Sequence, residues 1–517
     1  MRIDPRELHR ARLDLLVVGA GIHGAAIARE AALRGLQVAL VEARDVAAGT
    51  SSRSSRLVHG GLRYLRQGNF ALVRDALHER ERLLRLCPHL VRSQPMLMPF
   101  FAGDRTPRCL MRLGTFLYGR LAGRSTLPRA RTLTADEAVA AFPGLRCRGL
   151  RSGLEFFDAV TEDARLTLAN AASAVAAGAR LATHCEVVGV RDDRVVLRDA
   201  IARAEVEVAA RHVINATGPR VDGLRRCLGV DGAPLVRLSR GSHLVLPPRP
   251  GELALAAFLP DERIQFVIPH QDGTLVGTTE VDDDLDGDET GPPAADLDYL
   301  LAALRHLLEA APPRREVAFG YAGWRALPAR RGPAGALHRE GFVVDERWSG
   351  GVLHSVVGGK LTTHRSFAER AVDALFGKVA VPPTRDLPLP GGDGPRDVGD
   401  SLWWRHGSVA LGLHSQIAAA PELGERLCPH RPFLVVELLH ALQVEGAVTF
   451  ADAMLRRLVH SQGPCLQPAC LRRAHERFLT ACVWPVDGDA EAAIAALRAE
   501  VDVMIGELPA WRAAAGE

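Results

Sequence analysis

The sequence predicts an α/β fold in which helices pack on a parallel sheet and other segments are inserted between its strands. The first observation is residues 14–45, "DLLVVGAGIHGAAIAREAALRGLQVALVEARD", where an apolar strand, a glycine-rich turn, a helix and a second strand follow one another. The second is the apolar strand of "RHVINATGP" at 211–219. The third is the strand and glycine turn of "HSVVGGKLTTH" at 354–364. Three separated pieces indicate one sheet domain that is interrupted by insertions.

The glycine-rich turn of the first piece predicts a dinucleotide site. Gly19, Gly21 and Gly24 have the spacing in which the first glycine permits a tight turn, the second admits a pyrophosphate and the third allows close helix packing. The helix N-terminus presents N–H groups and a partial positive charge to phosphates. Glu42 ends the second strand, where a carboxylate accepts hydrogen bonds from ribose hydroxyls.

Composition excludes several classes of protein. The chain has 517 residues, of which 47% are hydrophobic, so two or three domains with substantial cores are expected. The formal net charge of +3 is small for this length, and no nucleic-acid partner is expected. No apolar run is long enough to span a membrane, and the N-terminal apolar segment is too short for a signal peptide. We therefore expect a protein that stays inside the cell.

The cysteines predict reduced thiols. There are nine, an odd number, and none forms a C-x-x-C pair, which is typical of a cytosolic protein without a disulfide framework. Cys465 and Cys470 are the closest pair late in the chain, but they lack the histidine and cysteine companions of a zinc site. No metal site is expected.

The nucleotide is NAD or FAD, and the order of the pieces favours FAD. An NAD enzyme usually completes a contiguous six-stranded sheet over about the next hundred residues. Here the matching strands lie far downstream. This arrangement, with these motifs, resembles the FAD-dependent oxidoreductases of the glycine/D-amino-acid oxidase superfamily, and the fold it implies is a Rossmann-like FAD-binding domain with an inserted antiparallel-sheet substrate domain and a C-terminal helical domain.

Six further blocks resemble the aerobic, FAD-dependent glycerol-3-phosphate dehydrogenase family. They are "TSSRSSRLVHGGLRYL" at 50–65, "EDARLTLANA" at 162–171, "RGSHLVLP" at 240–247, "FVIPHQDGTLVGTTEVD" at 266–282, "GWRALP" at 323–328 and "GGKLTTHR" at 358–365. The likeness extends from about residue 13 to near the C-terminus. One departure is Ala326, which stands where the family usually has proline after the arginine.

The resemblance implies oxidation of sn-glycerol 3-phosphate to dihydroxyacetone phosphate by hydride transfer to FAD. A phosphate dianion loses its hydration in such a site, so fixed cations are needed to offset the cost of burying it. Arg63, Arg325 and Lys360 match the positions where the family gathers positive charge, with Tyr64 beside them as a hydroxyl donor. Arg339 is a further candidate for substrate binding.

Oxidation of the alcohol also needs a base for the hydroxyl proton. Histidine suits this role because its unperturbed pKa lies near neutral pH. His59 and His243 are both candidates, although a histidine at the end of a strand is more often a structural residue than a catalyst. Arg325 is a third catalytic candidate, which would polarise the forming carbonyl.

Several residues are expected to contact FAD besides the first glycine turn. Gly358 and Gly359 would let the backbone pass close to the isoalloxazine ring. Leu361, Thr362 and Thr363 would open a helix whose N-terminus faces the charge that develops there. The other expected contacts are Ser51, Ser52, Ser55, Ala216, Thr217 and Gly218.

A basic stretch at 104–131 is a candidate contact with a membrane that holds the electron acceptor. It has seven arginines against one aspartate, interleaved with leucine and phenylalanine. This pattern fits either an anionic bilayer surface or an ordinary cap helix with a solvated arginine face. The resemblance favours the membrane, because enzymes of this family pass electrons to a membrane quinone. The protein is then expected in the cytoplasm, bound peripherally to the inner face of the cell membrane.

Two alternatives to this function stay open. The acceptor would be oxygen if the protein were a glycerol-3-phosphate oxidase that makes peroxide. A flavoprotein that binds a phosphorylated metabolite without turnover would use the same pocket. A homodimer is also kept as an expectation.

The interruptions predict the domain limits. The FAD-binding domain would combine 1–90, 146–235 and 335–385. A substrate or cap domain would take 91–145 and 236–334. After the Pro/Gly-rich segment "DLPLPGGDGPRD", residues 398–517 have leucine and alanine at helical spacing and would form the C-terminal helical domain.

Overall fold

The computed structural model describes residues 1–61, 69–104, 114, 117–123, 125–283, 290–329, 340–482 and 489–514. The strands β1 to β21 are, in chain order, Leu13–Val18, Val38–Val41, Leu57–Val58, Val91–Phe101, Arg131–Thr134, Leu150–Thr161, Arg180–Ala182, Cys185–Arg191, Arg194–Asp199, Ala204–Val208, Ala210–Asn215, Val236–Leu246, Ala254–Phe258, Ile264–His270, Gly273–Gly277, Val281–Asp283, Phe319–Pro328, Phe342–Trp348, Gly351–Val357, Arg426–Cys428 and Arg431–Leu434. The helices α1 to α14 are Ile22–Leu33, Phe70–Leu86, Ala135–Ala141, Asp163–Ala176, Val221–Cys227, Ala294–Leu307, His364–Phe376, Trp403–His406, Ala410–Ala419, Val435–Gln443, Phe450–Asp452, Pro468–Ala481, Ala490–Ile505 and Leu508–Ala513.

A six-stranded sheet joins the three predicted pieces. Its order is β18-β19-β11-β1-β2-β7, and β1 pairs in parallel with both β2 and β11, while β19 pairs in parallel with β11. Leu15, Leu16 and Val17 of β1 are fully buried, because helices α1 and α7 cover one face and other strands cover the second. This burial on both faces explains the continuous apolar run of β1. The predicted α/β class is confirmed.

A second, ten-stranded sheet contains the strands inserted between these pieces. Its main path is β16-β12-β15-β14-β13-β4-β6-β3, with β17 paired to β12 and β5 paired to β6. The pairs are antiparallel except for β13 with β4. The predicted antiparallel insertion is therefore present. Strand β6 lies in this sheet although its residues fall inside the range assigned to the FAD-binding domain, and the domain limits remain a prediction.

The C-terminal region is helical, as predicted, with one small hairpin of β20 and β21. Helices α10, α12 and α13 bury their apolar faces against the larger sheet. The hairpin corrects one expectation from the sequence, because Cys428 and His430 come from it to lie beside Cys465 and Cys470. The two late cysteines therefore have histidine and cysteine companions, supplied from a distant part of the chain.

Part of the basic stretch at 104–131 lies among the described residues. Tyr118 and Ala122 are buried there against Leu72, Val73 and Leu77 of α2. The Tyr118 hydroxyl accepts from Gly60 N at 2.7 Å and donates to a carboxylate, that of Asp158, at 2.8 Å. This described part packs inward against the protein. Within the described residues, no helix combines the length and hydropathy of a membrane span.

A buried ionic network ties the helical region to the six-stranded sheet. Asp45 follows β2 and is fully buried. Its Oδ2 accepts from Arg456 Nε at 2.6 Å and also pairs with Arg457. Arg456 bridges onward to Asp452 at 2.6 Å, whose second carboxylate oxygen pairs with His184 at 2.8 Å. Both arginines lie in a turn of π-helix over Ala453–Arg457, which aims two consecutive guanidinium groups at one carboxylate.

Replacing Asp45 with alanine is expected to lower the free energy of unfolding by about 3–5 kcal/mol, because it leaves two buried guanidinium groups without their shared carboxylate. Urea denaturation with saturating FAD measures the change. The matched control is Asp386→Ala, which removes an exposed pair with Arg85 at 2.7 Å and should cost at most about 1 kcal/mol. Equal losses in the two variants would contradict the prediction.

Candidate active site

The carboxyl ends of three adjacent parallel strands meet at one cavity. Strands β19, β11 and β1 are neighbours in the sheet, and the turns that follow them begin at Gly358, Ala216 and Gly19. All three turns line a cavity of about 1370 Å³, which is also bordered by strands of the larger sheet. Ligand sites in open α/β sheets lie at this edge, and the volume exceeds the range of a single drug-sized pocket.

The first glycine turn is too crowded for any side chain. A Cβ on Gly19, whose φ is +102°, would lie 2.6 Å from the carbonyl oxygen of Ala216. A Cβ on Gly24 would lie 1.9 Å from the carbonyl oxygen of Gly19, which is the close helix packing that the motif predicts. Gly19 and Gly21 line the cavity, whereas Gly24 lies behind them. The first and second turns are therefore in direct contact.

Glu42 lines the cavity next to the first turn. Its carboxylate accepts from the backbone N–H of Ala20 at 2.8 Å and from that of Arg44 at 2.9 Å. Burial raises the pKa of Glu42 above its usual value, and the two N–H donors act in the opposite direction. The side chain is thus held at the end of β2 by backbone donors, in the position expected of a ribose-binding acid.

His23 joins the first turn to the third, and it was not among the residues predicted from the sequence. A Cβ on Gly359 would lie 2.4 Å from His23 Nε2, so the backbone of the third turn passes directly over the imidazole. The ring lies edge-on to Phe367 of α7 at 5.0 Å. His23 Nε2 is buried, lines the cavity wall and has no hydrogen-bond partner among the described residues. Burial and the nearby His364 lower the pKa of His23 to about 4, so the ring is neutral.

The predicted helix after the third turn begins slightly later than expected. Helix α7 starts at His364 with Thr363 as its N-cap, so Leu361, Thr362 and Thr363 precede it. Leu361 and Thr362 line the cavity, and Thr363 does not. Thr362 Oγ1 accepts from the backbone N–H of His59 at 3.1 Å. This bond connects the third turn to the serine- and arginine-rich stretch.

The serines of 51–55 divide between local and cavity roles. Ser51 and Ser55 line the cavity, and Ser51 Oγ accepts from the backbone N–H of Ile22 at the start of α1 at 2.9 Å. Ser52 instead donates to the carbonyl of Gly49 at 3.1 Å within its own turn and lies outside the lining. Ser54 donates to Asp163 at 2.7 Å, which anchors the stretch to the first residue of α4.

Strand β17 holds the same stretch from the other side. Thr50 Oγ1 donates to the carbonyl of Trp324 at 2.7 Å, and the Tyr321 hydroxyl donates to the carbonyl of Ser54 at 2.8 Å. A Cβ on Gly323 would lie 2.6 Å from the carbonyl oxygen of Arg53. The stretch is therefore clamped between the two large sheets, which makes it one wall of the cavity.

Both candidate bases line the cavity, but their surroundings differ. His243 is buried, stacks on Tyr321 at 4.9 Å, and shares a hydrogen bond of 2.8 Å between its Nε2 and Ser55 Oγ. Burial, with the charges of Arg325 and Arg56, lowers the pKa of His243 to about 3. His59 is only partly buried and lies edge-on to Phe266 at 6.3 Å. His243 is thus a held, neutral group, whereas the His59 ring has more access to the cavity.

Two of the predicted cations come to the same cavity. Arg325 lies on β17 and Lys360 in the turn after β19, and both line it. The Arg325 guanidinium donates to Thr278 Oγ1 at 3.0 Å and to the carbonyl of Thr279 at 3.3 Å. A Cβ on Gly241 would lie 2.3 Å from Arg325 Nη2, so glycine there makes room for the guanidinium. Ala326, which replaces the family proline, also lines the cavity.

Only some of the remaining predicted site residues lie among the described residues. Thr217 and Gly218 line the cavity with Ala216, and Gly218 has a φ of +60°. The predicted substrate residues Arg63, Tyr64 and Arg339 lie outside the described residues. The cavity is also lined by basic residues that were not predicted from the sequence, namely Arg44, Arg53, Arg198, Arg220, Arg226, Arg237 and Arg263.

Comparison with known proteins decides the family. The model of the family described as "FAD dependent oxidoreductase" matches residues 14–365. A glycerol-3-phosphate dehydrogenase of Synechocystis sp. is 35% identical over 493 residues, which cover 87% of this chain and 89% of that protein. The chain belongs to the FAD-dependent glycerol-3-phosphate dehydrogenase family.

One further relative and one solved structure provide information about substrate and cofactor. A D-erythritol 1-phosphate dehydrogenase of Brucella abortus is 38% identical over 392 residues, covering 74% of this chain and 77% of that protein. The crystal structure of the glycerol-3-phosphate dehydrogenase of Bacillus halodurans, complexed with FAD, superposes with a TM-score of 0.75 at 27% identity and covers 96% of each chain. The protein is accordingly an oxidoreductase whose cofactor is FAD.

The cavity wall fits FAD. Gly19, Gly21 and Gly359 line the cavity without side chains, so their backbone is open to a ligand there. Glu42 would supply an acceptor for the ribose, and the N-terminus of α1 would supply N–H groups for the pyrophosphate. The buried His23 Nε2 offers one more polar atom that a bound flavin would satisfy.

Five buried histidines predict how stability depends on pH. Burial lowers their pKa values to about 3 or about 4, and they are His23, His89, His243, His364 and His460. In the unfolded chain each has a pKa of about 6.5, so between the two values the unfolded state binds more protons. Stability is therefore expected to fall as pH drops from about 6.5 towards 4.

At pH 5.5 each of these histidines is about 90% protonated in the unfolded chain and almost unprotonated in the folded one. Unfolding at this pH should therefore take up about four or more protons per chain. Calorimetric unfolding in two buffers of different ionisation enthalpy measures this uptake. The same pair of buffers at pH 8 should show almost none from these groups. An uptake below about one proton at pH 5.5 would contradict the predicted burial of neutral histidines.

Proposed function

We propose that this protein oxidises sn-glycerol 3-phosphate to dihydroxyacetone phosphate. The observation that carries the proposal is the placement of Arg325 and Lys360 in the same cavity as the three glycine turns. Relatives named glycerol-3-phosphate dehydrogenase, at 34–35% identity over most of the chain, support the choice of substrate. An amine or amino-acid substrate would not need two cations beside the flavin site.

The cations would bind the phosphate. A guanidinium pairs with two phosphate oxygens through its planar fork, and an ammonium acts as a compact point charge. Arg325 is positioned for this by Thr278 and Thr279, and Lys360 approaches from the opposite sheet. By resemblance, Arg63, Tyr64 and Arg339 would complete the substrate site. Anchoring the phosphate fixes the distance of the reacting carbon from the flavin edge of the cavity.

His59 would take the hydroxyl proton. It lines the cavity and is only partly buried, whereas the Nε2 of His243 is engaged by Ser55 and its pKa of about 3 makes it a weak base. His243 then positions Ser55 in the cavity wall. Bound FAD supplies the hydride acceptor for the substrate carbon. Arg325 would polarise the oxygen that becomes the carbonyl if the phosphate lies nearer Lys360.

An anaerobic titration tests this function. The FAD absorbance of the purified protein should bleach with glycerol 3-phosphate and not with glycerol, which lacks the dianion. Bleaching by glycerol at equal concentrations would refute the phosphate assignment. Ligand binding without bleaching would instead identify a flavoprotein that binds a phosphorylated metabolite without turnover.

A four-carbon polyol phosphate is a second candidate substrate. The Brucella abortus relative named D-erythritol 1-phosphate dehydrogenase is 38% identical to this chain, above the 35% of the Synechocystis protein. Such a substrate carries the same dianion and a secondary alcohol, with one more hydroxylated carbon. Comparison of kcat/KM for the two compounds decides between them, and a ratio above one for erythritol phosphate would reassign the substrate.

The electron acceptor is proposed to be a membrane quinone, reached from an anionic membrane surface. The arginines of 104–131 that lie outside the described residues are the proposed contact. The test compares binding of anionic liposomes at low and high salt by wild-type protein and by a variant with Arg105, Arg108 and Arg112 changed to glutamine. Binding that is unchanged in the variant would remove the proposal. Quinone reduction faster than peroxide release would distinguish a dehydrogenase from an oxidase.

A further inference from the structure

Four metal-ligating side chains meet in the C-terminal helical region, away from the cavity. They are Cys428, His430, Cys465 and Cys470, and their ligand atoms all lie within 4.8 Å of one another. None of the four lines the cavity described above. Cys428 and Cys465 are buried, Cys470 is partly buried, and His430 is at the surface.

The spacing of these atoms matches a tetrahedral metal centre. Nδ1 of His430 lies 3.4 Å from the sulfur of Cys465 and 3.5 Å from the sulfur of Cys470. In a tetrahedral zinc site with Zn–S of about 2.3 Å and Zn–N of about 2.0–2.1 Å, the S···N edge is about 3.5–3.6 Å. The observed edges agree with that value. One imidazole nitrogen thus faces two sulfurs at the separation that a shared ion would impose.

The four ligands come from three separate elements, as in structural zinc sites. Cys428 ends β20 and His430 lies in the turn of the hairpin, Cys465 lies in the segment after the π-helical turn, and Cys470 lies in the first turn of α12. Arg431, next to His430, donates to the carbonyl of Gly463 at 2.9 Å and holds the cysteine-bearing segment against the hairpin. Hairpin, segment and helix are therefore already assembled around one point.

We propose that Cys428, His430, Cys465 and Cys470 bind one structural zinc ion. Three thiolates and one imidazole form a recognised tetrahedral ligand set, and four protein ligands leave no open position for a substrate. Soft sulfur ligands in tetrahedral geometry select zinc over magnesium, calcium or manganese. The ion fastens the small hairpin to α12, where the described residues provide only a short two-stranded sheet. The site stabilises the helical region and takes no part in the oxidation.

Metal analysis of the full-length protein, purified without chelators or metal-affinity resin, tests the proposal. We expect about one zinc per chain, and at least about a tenfold lower zinc content in Cys465→Ser. Cys147→Ser is the matched control, because Cys147 is an exposed cysteine outside the cluster, and it should keep its zinc. Iron in place of zinc, zinc at less than about one tenth of an equivalent in wild-type protein, or equal zinc in wild type and Cys465→Ser would each overturn the proposal.

A second measurement keeps the test decisive if the serine variant fails to fold. X-ray absorption at the zinc edge of the wild-type holoprotein should give three sulfur neighbours at about 2.3 Å and one nitrogen at about 2.0–2.1 Å. A first shell made only of oxygen and nitrogen would place the zinc elsewhere and refute the assignment. None of the four proposed zinc-binding residues lines the cavity. Flavin reduction by substrate is therefore measured separately, and its failure would contradict only the proposed function.

Discussion

Replacing Arg325 with alanine should lower kcat/KM for glycerol 3-phosphate by about 10²- to 10³-fold, since a lost contact to a buried anion costs about 3–4 kcal/mol. The guanidinium is held at the cavity by Thr278 and Thr279, so alanine leaves the phosphate without that partner. Steady-state kinetics with an artificial electron acceptor measure the loss. Arg325→Lys should fall between alanine and wild type, because lysine keeps the charge but not the planar fork.

The control for Arg325 is Arg191→Ala, which removes an exposed arginine paired with Glu205 and Glu207. Its kcat/KM should stay within about twofold of wild type, in keeping with the small energies of exposed ion pairs. The preference for glycerol 3-phosphate over glycerol should also shrink in Arg325→Ala. A variant that keeps the full preference would show that Arg325 does not bind the phosphate.

Gly19→Ala is expected to abolish FAD binding. Its Cβ would lie 2.6 Å from Ala216 O and 2.8 Å from Ala216 C, and the φ of +102° is unfavourable for any L side chain. Both obstacles are backbone atoms, so the first and second turns must separate, and the pyrophosphate site is lost with them. The flavin content of the purified variant, read from its absorbance, should be below about a tenth of wild type, the loss expected for about 1.4 kcal/mol or more.

Gly178→Ala is the control for Gly19→Ala, because it introduces backbone strain at positive φ without a steric clash. Gly178 has a φ of +99°, close to that of Gly19, but a Cβ there would meet nothing within 4 Å. This variant should lose at most about 1–2 kcal/mol of stability and keep its FAD. Equal flavin loss in both variants would mean that positive φ, and not the contact between the turns, determines the effect.

The convergence of the three glycine turns could be predicted from the sequence. Each follows a strand of parallel type, and the carboxyl ends of parallel strands share an edge of the sheet, so Gly19, Ala216 and Gly358 had to meet. The serine- and arginine-rich stretch could likewise be predicted to form a wall of the cavity. Serine hydroxyls and arginine guanidinium groups are suited to bind the two anionic ligands expected there, which are FAD and a phosphorylated substrate. The contacts with β17 that hold this stretch in place depend on how the sheets pack, and no local sequence pattern predicts them.

Two features could not be found by local pattern. His23 occupies a variable position of the glycine motif, and its place in the cavity wall becomes evident only through the contact with Gly359. The cysteine and histidine cluster was missed for a similar reason, because Cys428 and His430 reach Cys465 through the fold of the hairpin. A search for zinc ligands over about forty residues, a wider window than the usual finger spacings of roughly twenty to thirty, is needed to bring C-x-H and C-x₄-C together.

The pairing of Asp45 with Arg456 and Arg457 limits how the protein can be divided. Ala43, Arg44, Ala48 and Gly49 of the loop that carries Asp45 all line the flavin cavity. The C-terminal helical region thus holds in place a loop that borders the cavity. A fragment that ends at the Pro/Gly-rich segment would keep the glycine turns but lose both arginines that pair with Asp45. We therefore expect such a fragment to bind FAD poorly. Engineering of this enzyme should start from the full-length chain.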